Sequence, residues 1–196
     1  MTITELYNQL ADKDFQDHST GDLFFPAYMY MYDPTKEYEI DNEILDIKTR
    51  LHRPNNYLDV MVIDIFEEFL NFLKDTKFGK NTKYDFYQLH EKMKPDAVHK
   101  ALKQDAYDVR FINFLDQKIK AHLEVAKPYE VAYVFIKGFG NAFPYIRTSR
   151  FFNNFEKHIK GYKLIMLYPG KATSYYSLFG LLKDENLYRA IKLINA

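Results

Sequence analysis

Residues 131–171 constrain the fold more than any other part of the chain, because they read in order as a strand, a glycine-containing loop, a helix and a second strand. The two strand candidates, residues 131–136 and 163–168, are nearly continuous apolar runs. Such runs are typical of strands that are buried on both faces of a parallel sheet. The segment therefore predicts an α/β domain whose sheet is mostly parallel.

The remaining elements continue the alternation of strands and helices. Three more strands are predicted at residues 24–32, 57–63 and 188–194, the last of them at an edge of the sheet. Helices are predicted at residues 3–16, 35–51, 65–75 and 148–159. Residues 177–182 read as a short helical or irregular segment. We therefore expect a sheet of about five strands that is flanked by helices.

Residues 76–130 are predicted to be a helical insertion in this sheet. The block shows no convincing strand, and its apolar spacing predicts three helices at residues 84–93, 95–107 and 109–126. The chain has 196 residues, which is the length of one domain with such an insertion. A single α/β domain over residues 1–196 is therefore expected.

Composition excludes several classes of protein. The chain has no cysteine, which rules out disulfides, thiolate metal sites and cysteine nucleophiles and suits a reducing cytoplasm. No apolar run reaches the roughly 18 residues that a membrane span needs. Residues 1–15 include acidic side chains and no apolar stretch of the kind found in a signal peptide. We therefore expect a cytoplasmic protein that does not contact membranes.

The formal net charge of zero conceals a gradient along the chain. Residues 1–50 carry 4 basic and 11 acidic groups, residues 51–130 carry 13 of each, and residues 131–196 carry 10 basic and 3 acidic groups. Either the two ends form partner surfaces of opposite charge, or they pack together and neutralise each other.

The 17 Tyr and 17 Phe likewise fit either a binding surface or AT-rich codon usage. Overall neutrality argues against a dedicated nucleic-acid-binding protein.

The loop after the strand at residues 131–136 has the position of a phosphate-binding loop but not its motif. Gly138 and Gly140 follow the strand and precede a helix, yet neither the Rossmann glycine triplet nor the lysine-serine/threonine ending of a P-loop is present. Phe143 and Pro144 stand where small residues would let the backbone approach a pyrophosphate. The fold is thus expected to be Rossmann- or P-loop-like without a phosphate-binding motif. The alternative role for the glycines is a tight turn with positive φ.

Arg147 and Arg150 lie at the predicted start of the helix at residues 148–159, for which Thr148 or Ser149 is the expected N-cap and Gly161 the terminator. Cations are unfavourable at a helix N-terminus because of the helix dipole. The arginines therefore either clamp a phosphate or carboxylate group, or pair with carboxylates of the acidic N-terminal third. Both interpretations remain open at this point.

No catalytic constellation is found. Asp33 and Asp64 each follow a strand and precede a helix, so helix capping explains them better than metal binding does. The six histidines form neither an i,i+4 pair nor an HExxH pattern, and no GxSxG sequence occurs. We therefore predict no catalytic residue, no metal site and no cofactor.

Several segments, in a fixed order, resemble one family. FPAYMYMYDP, DVMVIDIFEEFLNFL, VAYVFIKGFGNAFPYIRTSRFFNNF, KLIMLYPG and LYRAIKLI occur in that order and span nearly the whole chain. They are similar to the BrxB family of BREX (bacteriophage exclusion) systems. The most specific element is GxGxxFPxxRxSxxxNN at residues 138–154, followed by YPG at residues 168–170. No short enzyme motif contributes to the resemblance.

The resemblance implies a cytoplasmic protein of an anti-phage operon that is needed for host DNA methylation and phage restriction. It also implies that the protein has no established catalytic activity and docks with PglZ or with the PglX methyltransferase. We expect partner contacts at Arg147, Arg150, Tyr168 and Arg189. Loop geometry is expected to depend on Gly138, Gly140, Pro144, Pro169 and Gly170. The alternative function is a nucleotide- or nucleic-acid-binding module that uses the basic C-terminal third.

Overall fold

The computed structural model describes residues 2–16, 27–126, 128–129, 132–172, 176–178, 182–183 and 191–193. In chain order the strands are β1 (Ala27–Tyr32), β2 (Asp59–Asp64), β3 (Lys77–Phe78), β4 (Asn81–Thr82), β5 (Ala132–Lys137), β6 (Lys163–Ala172), β7 (Tyr176–Leu178), β8 (Leu182–Lys183) and β9 (Ile191–Leu193). The α-helices are α1 (Ile3–Ala11), α2 (Lys13–Gln16), α3 (Glu37–Leu51), α4 (Ile65–Asp75), α5 (Lys83–Glu91), α6 (Pro95–Asp105), α7 (Val109–Val125), α8 (Phe139–Ala142) and α9 (Thr148–Phe155). Two 3₁₀ turns, Pro34–Lys36 and Glu156–His158, adjoin α3 and α9.

The main sheet has five parallel strands in the order β2-β5-β6-β1-β9. From β1 the chain crosses to the far edge at β2 by way of α3. It then returns through β5 and β6 by way of α4–α9. Reversing the direction of travel moves the connecting helices to the opposite face when the crossovers are right-handed. The α/β fold and the mostly parallel sheet of about five strands are confirmed.

Each face of the sheet buries one apolar cluster, because successive strand side chains point to opposite sides. On one face Tyr133 and Phe135 of β5 pack with α1 and α3. On the other face Val134 and Ile136 pack with α4, α7, α8 and α9. The two central strands β5 and β6 are buried on both faces, as their continuous apolar sequences predict.

Side-chain caps are found at three helix starts, and those at Asp33 and Asp64 confirm the prediction. Thr2 and Glu5 form a capping box on α1. The Asp33 carboxylate accepts from the Thr35 N–H at 3.0 Å. The Asp64 carboxylate accepts from the N–H groups of Phe66 and Glu67 at 3.0 and 3.2 Å. The helix predicted over residues 3–16 is interrupted at Asp12, which adopts an extended conformation and separates α1 from α2.

Two predictions about strands were wrong. Residues 76–130 contain a small antiparallel hairpin of β3 and β4, in which Gly79 adopts a positive φ of 64°. The segment around residues 177–182 contains the antiparallel strands β7 and β8. The strands of both pairs are only two or three residues long. Strands of that length are too short to show an alternating apolar pattern in the sequence. The three predicted helices of the block correspond to α5, α6 and α7.

Strand β6 runs past the Pro169-Gly170 pair that was expected to end it. It stays parallel to β1 as far as Pro169 and becomes antiparallel to β7 from Gly170 onward. Proline has no N–H group to donate to a neighbouring strand, so it is tolerated at a point where the strand changes partner. Pro169 and Gly170 are therefore strand residues and not loop residues.

No helix among the described residues is long and apolar enough to cross a membrane.

A cation-lined cleft as the candidate functional site

The loop after β5 is folded against the cap of α4. Gly138 has a φ of 83° and precedes the single helical turn α8. A Cβ at this position would lie 2.3 Å from Oδ1 of Asp64. The space in front of Gly138 is thus filled by a carboxylate of the chain itself. A phosphate group at that point would meet a negative charge, which disfavours a phosphate-binding role for this loop.

Lys137, the last residue of β5, neutralises nearby carboxylates at the carboxyl end of the strands. Its ammonium Nζ lies 2.6 Å from Oδ1 of Asp41 and 3.5 Å from Oδ2 of Asp64. Burial alone would lower the pKa of Lys137, but the hydrogen bond and charge of Asp41, followed by the charge of Asp64, outweigh it and raise that pKa above its usual value. This contact joins the acidic and basic ends of the chain at one point. It supports the interpretation that the charge gradient is in part internally neutralised.

The other loop residues predicted from the sequence differ in their roles. Gly140 lies inside the helical turn α8 and not in a loop with positive φ. Pro144 follows a cis peptide bond with Phe143 and lies in the turn between α8 and α9. Of the two glycines, only Gly138 meets the expectation of a turn with positive φ.

The start of α9 presents its two arginines to solvent. Arg147 is the N-cap residue but makes no side-chain cap hydrogen bond, and Arg147 and Arg150 are exposed. Thr148 and Ser149 were expected to cap the helix, yet they are buried, at 2% and 1% exposure. The helix itself is anchored by fully buried phenylalanines, so the arginines project from a fixed base.

These arginines form one wall of a cleft of about 410 Å³. A second wall is formed by the C-terminal half of α6, whose Lys100 and Lys103 are exposed. The cleft is completed by three uncharged residues, Gln104, Tyr107 and Pro144. The arginines were predicted from the sequence but Lys100 and Lys103 were not, because only the packing of α6 against residues 143–150 brings the two pairs together.

Tyr107 connects the two walls. Its hydroxyl oxygen accepts a hydrogen bond from the backbone N–H of Arg147 at 3.0 Å. The guanidinium carbon of Arg150 lies 4.3 Å from the centre of its ring, which is within the range of a cation–π contact. A second link joins His99 of α6 to Tyr145, with their rings 5.2 Å apart. The geometry of the cleft is therefore defined by side-chain contacts and not by the loop alone.

The four cations of the cleft make no ion pair with any described residue. Ion pairs elsewhere in the described part of the chain involve other lysines and arginines. Pairing of Arg147 and Arg150 with the acidic N-terminal third, one of the two open interpretations, is therefore not found among the described residues. Four like charges around one concave surface repel each other, and an anionic ligand would relieve that repulsion.

Two further residues were expected to contact a partner. Tyr168 is fully buried, which places it in the core of the sheet and removes it from the set of surface contacts. Its apolar neighbours in β6 already predict such burial. Arg189 lies outside the described residues.

Two of the histidines in the described part of the chain contact buried carboxylates. Nε2 of His122 lies 2.6 Å from Oδ2 of the buried Asp59, and Nδ1 of His158 lies 3.3 Å from Oδ2 of Asp116. Across the described residues, no group of three or more His, Asp or Glu side chains is arranged to hold a metal ion.

Comparisons with known proteins give a consistent result. Residues 61–193 match the profile of the family described as "BREX protein BrxB", and this range includes both walls of the cleft. A curated protein of Bacillus cereus (strain H3081.97), also named "BREX protein BrxB", is 25% identical over 198 residues, covering 98% of this chain and 96% of the relative. No solved structure gives a significant match.

Proposed function

Because the chain belongs to the BrxB family, and is thus a component of a BREX anti-phage defence system, we propose that it acts there as a non-enzymatic adaptor. It docks with another BREX protein, PglZ in the first place and the PglX methyltransferase in the second. Through this docking it supports host DNA methylation and phage restriction. The same proposal places the protein in the cytoplasm, where the methyltransferase meets host DNA.

One observation carries the proposal: four exposed cations line a preformed cleft without an ion-pair partner among the described residues. Unpaired charges gathered on a rigid surface favour encounter with a partner of opposite charge, and they select against partners of the same charge. Arginine is also enriched at protein interfaces. We therefore take the cleft as the docking surface.

The test is co-expression with tagged PglZ and, separately, with PglX, followed by affinity capture and size exclusion at moderate salt. We expect a stable complex with at least one of the two. The double variant Arg147→Glu/Arg150→Glu should reduce capture by about tenfold or more, because each substitution replaces attraction by repulsion. Retention of the wild-type melting temperature by the variant shows that the loss is not due to unfolding.

Lys157 and Lys160 provide a matched control. They are exposed, have the same three-residue spacing and lie outside the cleft. Lys157→Glu/Lys160→Glu therefore changes the net charge equally and should leave capture unchanged. Equal loss in both double variants would mean that net charge matters and the cleft does not. No complex with either BREX protein would refute the adaptor function.

A second candidate function, binding of a nucleotide or nucleic acid, is favoured by the same cations because phosphates are also anions. It predicts affinity for DNA that falls steeply with salt, since phosphate contacts release counterions. Titration with single- and double-stranded DNA and with ATP at low salt is the measurement. An absence of binding to all three would eliminate this candidate.

A further inference from the structure

We propose that the cleft between α6 and residues 143–150 binds an extended peptide segment with consecutive acidic side chains. This inference rests on the proposed docking function and names the chemistry of the partner segment. It is carried by the arrangement of the four cations and by the way in which Tyr107 is used.

The cations come as two pairs, one from each of the two segments that line the cleft. Lys100 and Lys103 are three residues apart on α6, and Arg147 and Arg150 are three residues apart at the start of α9. The two lysines lie within one helix, where residues with that spacing have Cβ atoms about 5–6 Å apart. In an extended peptide, alternate side chains point to the same side and are about 6.6 Å apart. The lysine pair therefore matches two alternate residues of an extended chain, and Arg147 and Arg150 offer two long cationic side chains at the start of α9 to the residues between them.

A segment of four consecutive acidic residues satisfies both walls together. Its first and third side chains reach one pair of cations, and its second and fourth reach the other pair. Arginine can bind a carboxylate with two parallel hydrogen bonds, whereas lysine acts as a point charge. The amide of Gln104, which also lines the cleft, offers both a donor and an acceptor to the peptide backbone.

Tyr107 favours a peptide over a nucleic acid. Single-stranded nucleic acids are bound largely by stacking of bases on exposed aromatic rings. Tyr107 is the aromatic residue that lines the cleft, and one face of its ring is covered by the Arg150 guanidinium at 4.3 Å. Its hydroxyl is engaged by the Arg147 N–H. The ring thus positions the arginines, and the face that Arg150 covers is not available as a platform for a base.

Fluorescence anisotropy with three labelled probes tests the inference on the isolated protein. The first probe is a peptide with four consecutive glutamates, and the second has four glutamates that alternate with serine. The third is a short oligothymidylate. The alternating peptide carries the same charge but places all its carboxylates on one side when extended. We expect the consecutive peptide to bind about tenfold more tightly than either other probe.

Variants on the two walls identify the site. Lys100→Glu/Lys103→Glu and Arg147→Glu/Arg150→Glu should each weaken binding of the consecutive peptide by about tenfold or more. The control Lys157→Glu/Lys160→Glu should not weaken it. Lys100→Gln/Lys103→Gln removes the two positive charges without introducing negative ones that repel the peptide. It should therefore weaken binding by a smaller factor than the charge reversal.

Three results would overturn the inference: equal affinity for the consecutive and alternating peptides, tighter binding of oligothymidylate, or no effect of either cleft variant. The outcome is separable from that of the docking function. If PglZ or PglX is captured through the cleft but the peptides do not bind, the peptide inference fails and the adaptor function stands. If the consecutive peptide binds as expected but no BREX protein is captured, the adaptor function fails instead.

Discussion

Gly138 touches the carboxylate of Asp64 so closely that a Cβ on the glycine would lie 2.3 Å from Oδ1 and 2.9 Å from the carboxyl carbon. The same residue has a φ of 83°, which side-chain-bearing residues rarely adopt. Asp64 is in turn held by the two N–H groups that it caps at the start of α4. The loop after β5 and the helix after β2 are therefore packed at a position that only glycine fits.

Gly138→Ala should accordingly destabilise the protein by more than backbone strain alone. A residue in the left-handed region costs about 1–2 kcal/mol, and the clash with Asp64 should raise the total loss in the free energy of unfolding to roughly 3 kcal/mol. Urea denaturation followed by circular dichroism measures it. Gly161→Ala is the matched control, because φ is 77° there and no atom lies within 4 Å of the position that a Cβ would take.

A double-mutant cycle isolates the contact with Asp64. Asp64→Ser keeps a side-chain oxygen that can cap α4, but it shortens the side chain. In that background, Gly138→Ala should be about as destabilising as Gly161→Ala in the wild type. An undiminished loss would show that the carboxylate is not the source of the clash.

Two buried tyrosines should respond differently to removal of the hydroxyl group. The hydroxyl of Tyr133 donates to the Leu10 carbonyl at 2.9 Å, whereas the buried hydroxyl of Tyr162 has no hydrogen-bond partner in the described part of the chain. Tyr133→Phe should lower the free energy of unfolding by about 1 kcal/mol, a moderate loss because Gln16 still donates to that carbonyl. Tyr162→Phe should leave it unchanged or raise it.

Urea denaturation of both variants at neutral pH gives the comparison. Each substitution removes one oxygen atom from a side chain that is almost fully buried. A loss at Tyr162 as large as that at Tyr133 would contradict the assignment of an unsatisfied hydroxyl.

The sequence predicted those features that depend on local patterns. The apolar runs of β5 and β6 and the caps at Asp33 and Asp64 follow from short-range rules, and they occur as expected. The cleft depends on tertiary packing. Lys103 and Arg147 are distant in the chain, and no local sequence pattern predicts that their two elements pack together. The three-residue spacing of each cation pair is visible in the sequence, but many exposed helix faces share it.

Burial was also harder to predict for residues that combine apolar and polar character. Tyr168 was expected to contact a partner, although its apolar neighbours in β6 favour burial, and the sheet buries it completely. Thr148 and Ser149 have the residue types of helix caps, but they are the first two residues of α9 and are buried. In each case the tertiary position overrides the local preference of the residue type.

Asp105 is expected to hold the helical block together. Its carboxylate contacts the ammonium of Lys83 and accepts from the hydroxyl of Tyr87 at 2.5 Å, so it ties α5 to α6. Its side chain is only 8% exposed. Asp105→Ala should lower the free energy of unfolding by about 3 kcal/mol, since it leaves the Lys83 charge buried without a partner.

The exposed pair of Lys36 and Glu39, 3.9 Å apart with both side chains at least 60% exposed, serves as the comparison. Glu39→Ala should change stability by less than about 1 kcal/mol. Hydrogen exchange should also show faster exchange in α5 of the Asp105→Ala variant. Equal effects of the two substitutions in urea denaturation would argue against a special role for Asp105.

Alkaline pH should unfold the protein through its buried and half-buried tyrosines. Burial raises the pKa of Tyr133 and Tyr162, and burial together with acceptance by a carboxylate raises that of Tyr32 and Tyr87. In the unfolded chain these phenols ionise near pH 10. Their contribution to stability is therefore complete below about pH 10 and is lost progressively as the pH rises above it.

The free energy of unfolding should accordingly fall above about pH 10, and tyrosinate absorbance should appear together with unfolding. Tyr162→Phe removes one of the groups whose pKa is raised by burial. It should therefore make the decline shallower by up to about 1.4 kcal/mol per pH unit. Gradual appearance of tyrosinate absorbance from all tyrosines near pH 10, with circular dichroism unchanged, would contradict the raised pKa values, because buried phenols can ionise at that pH only if the fold opens.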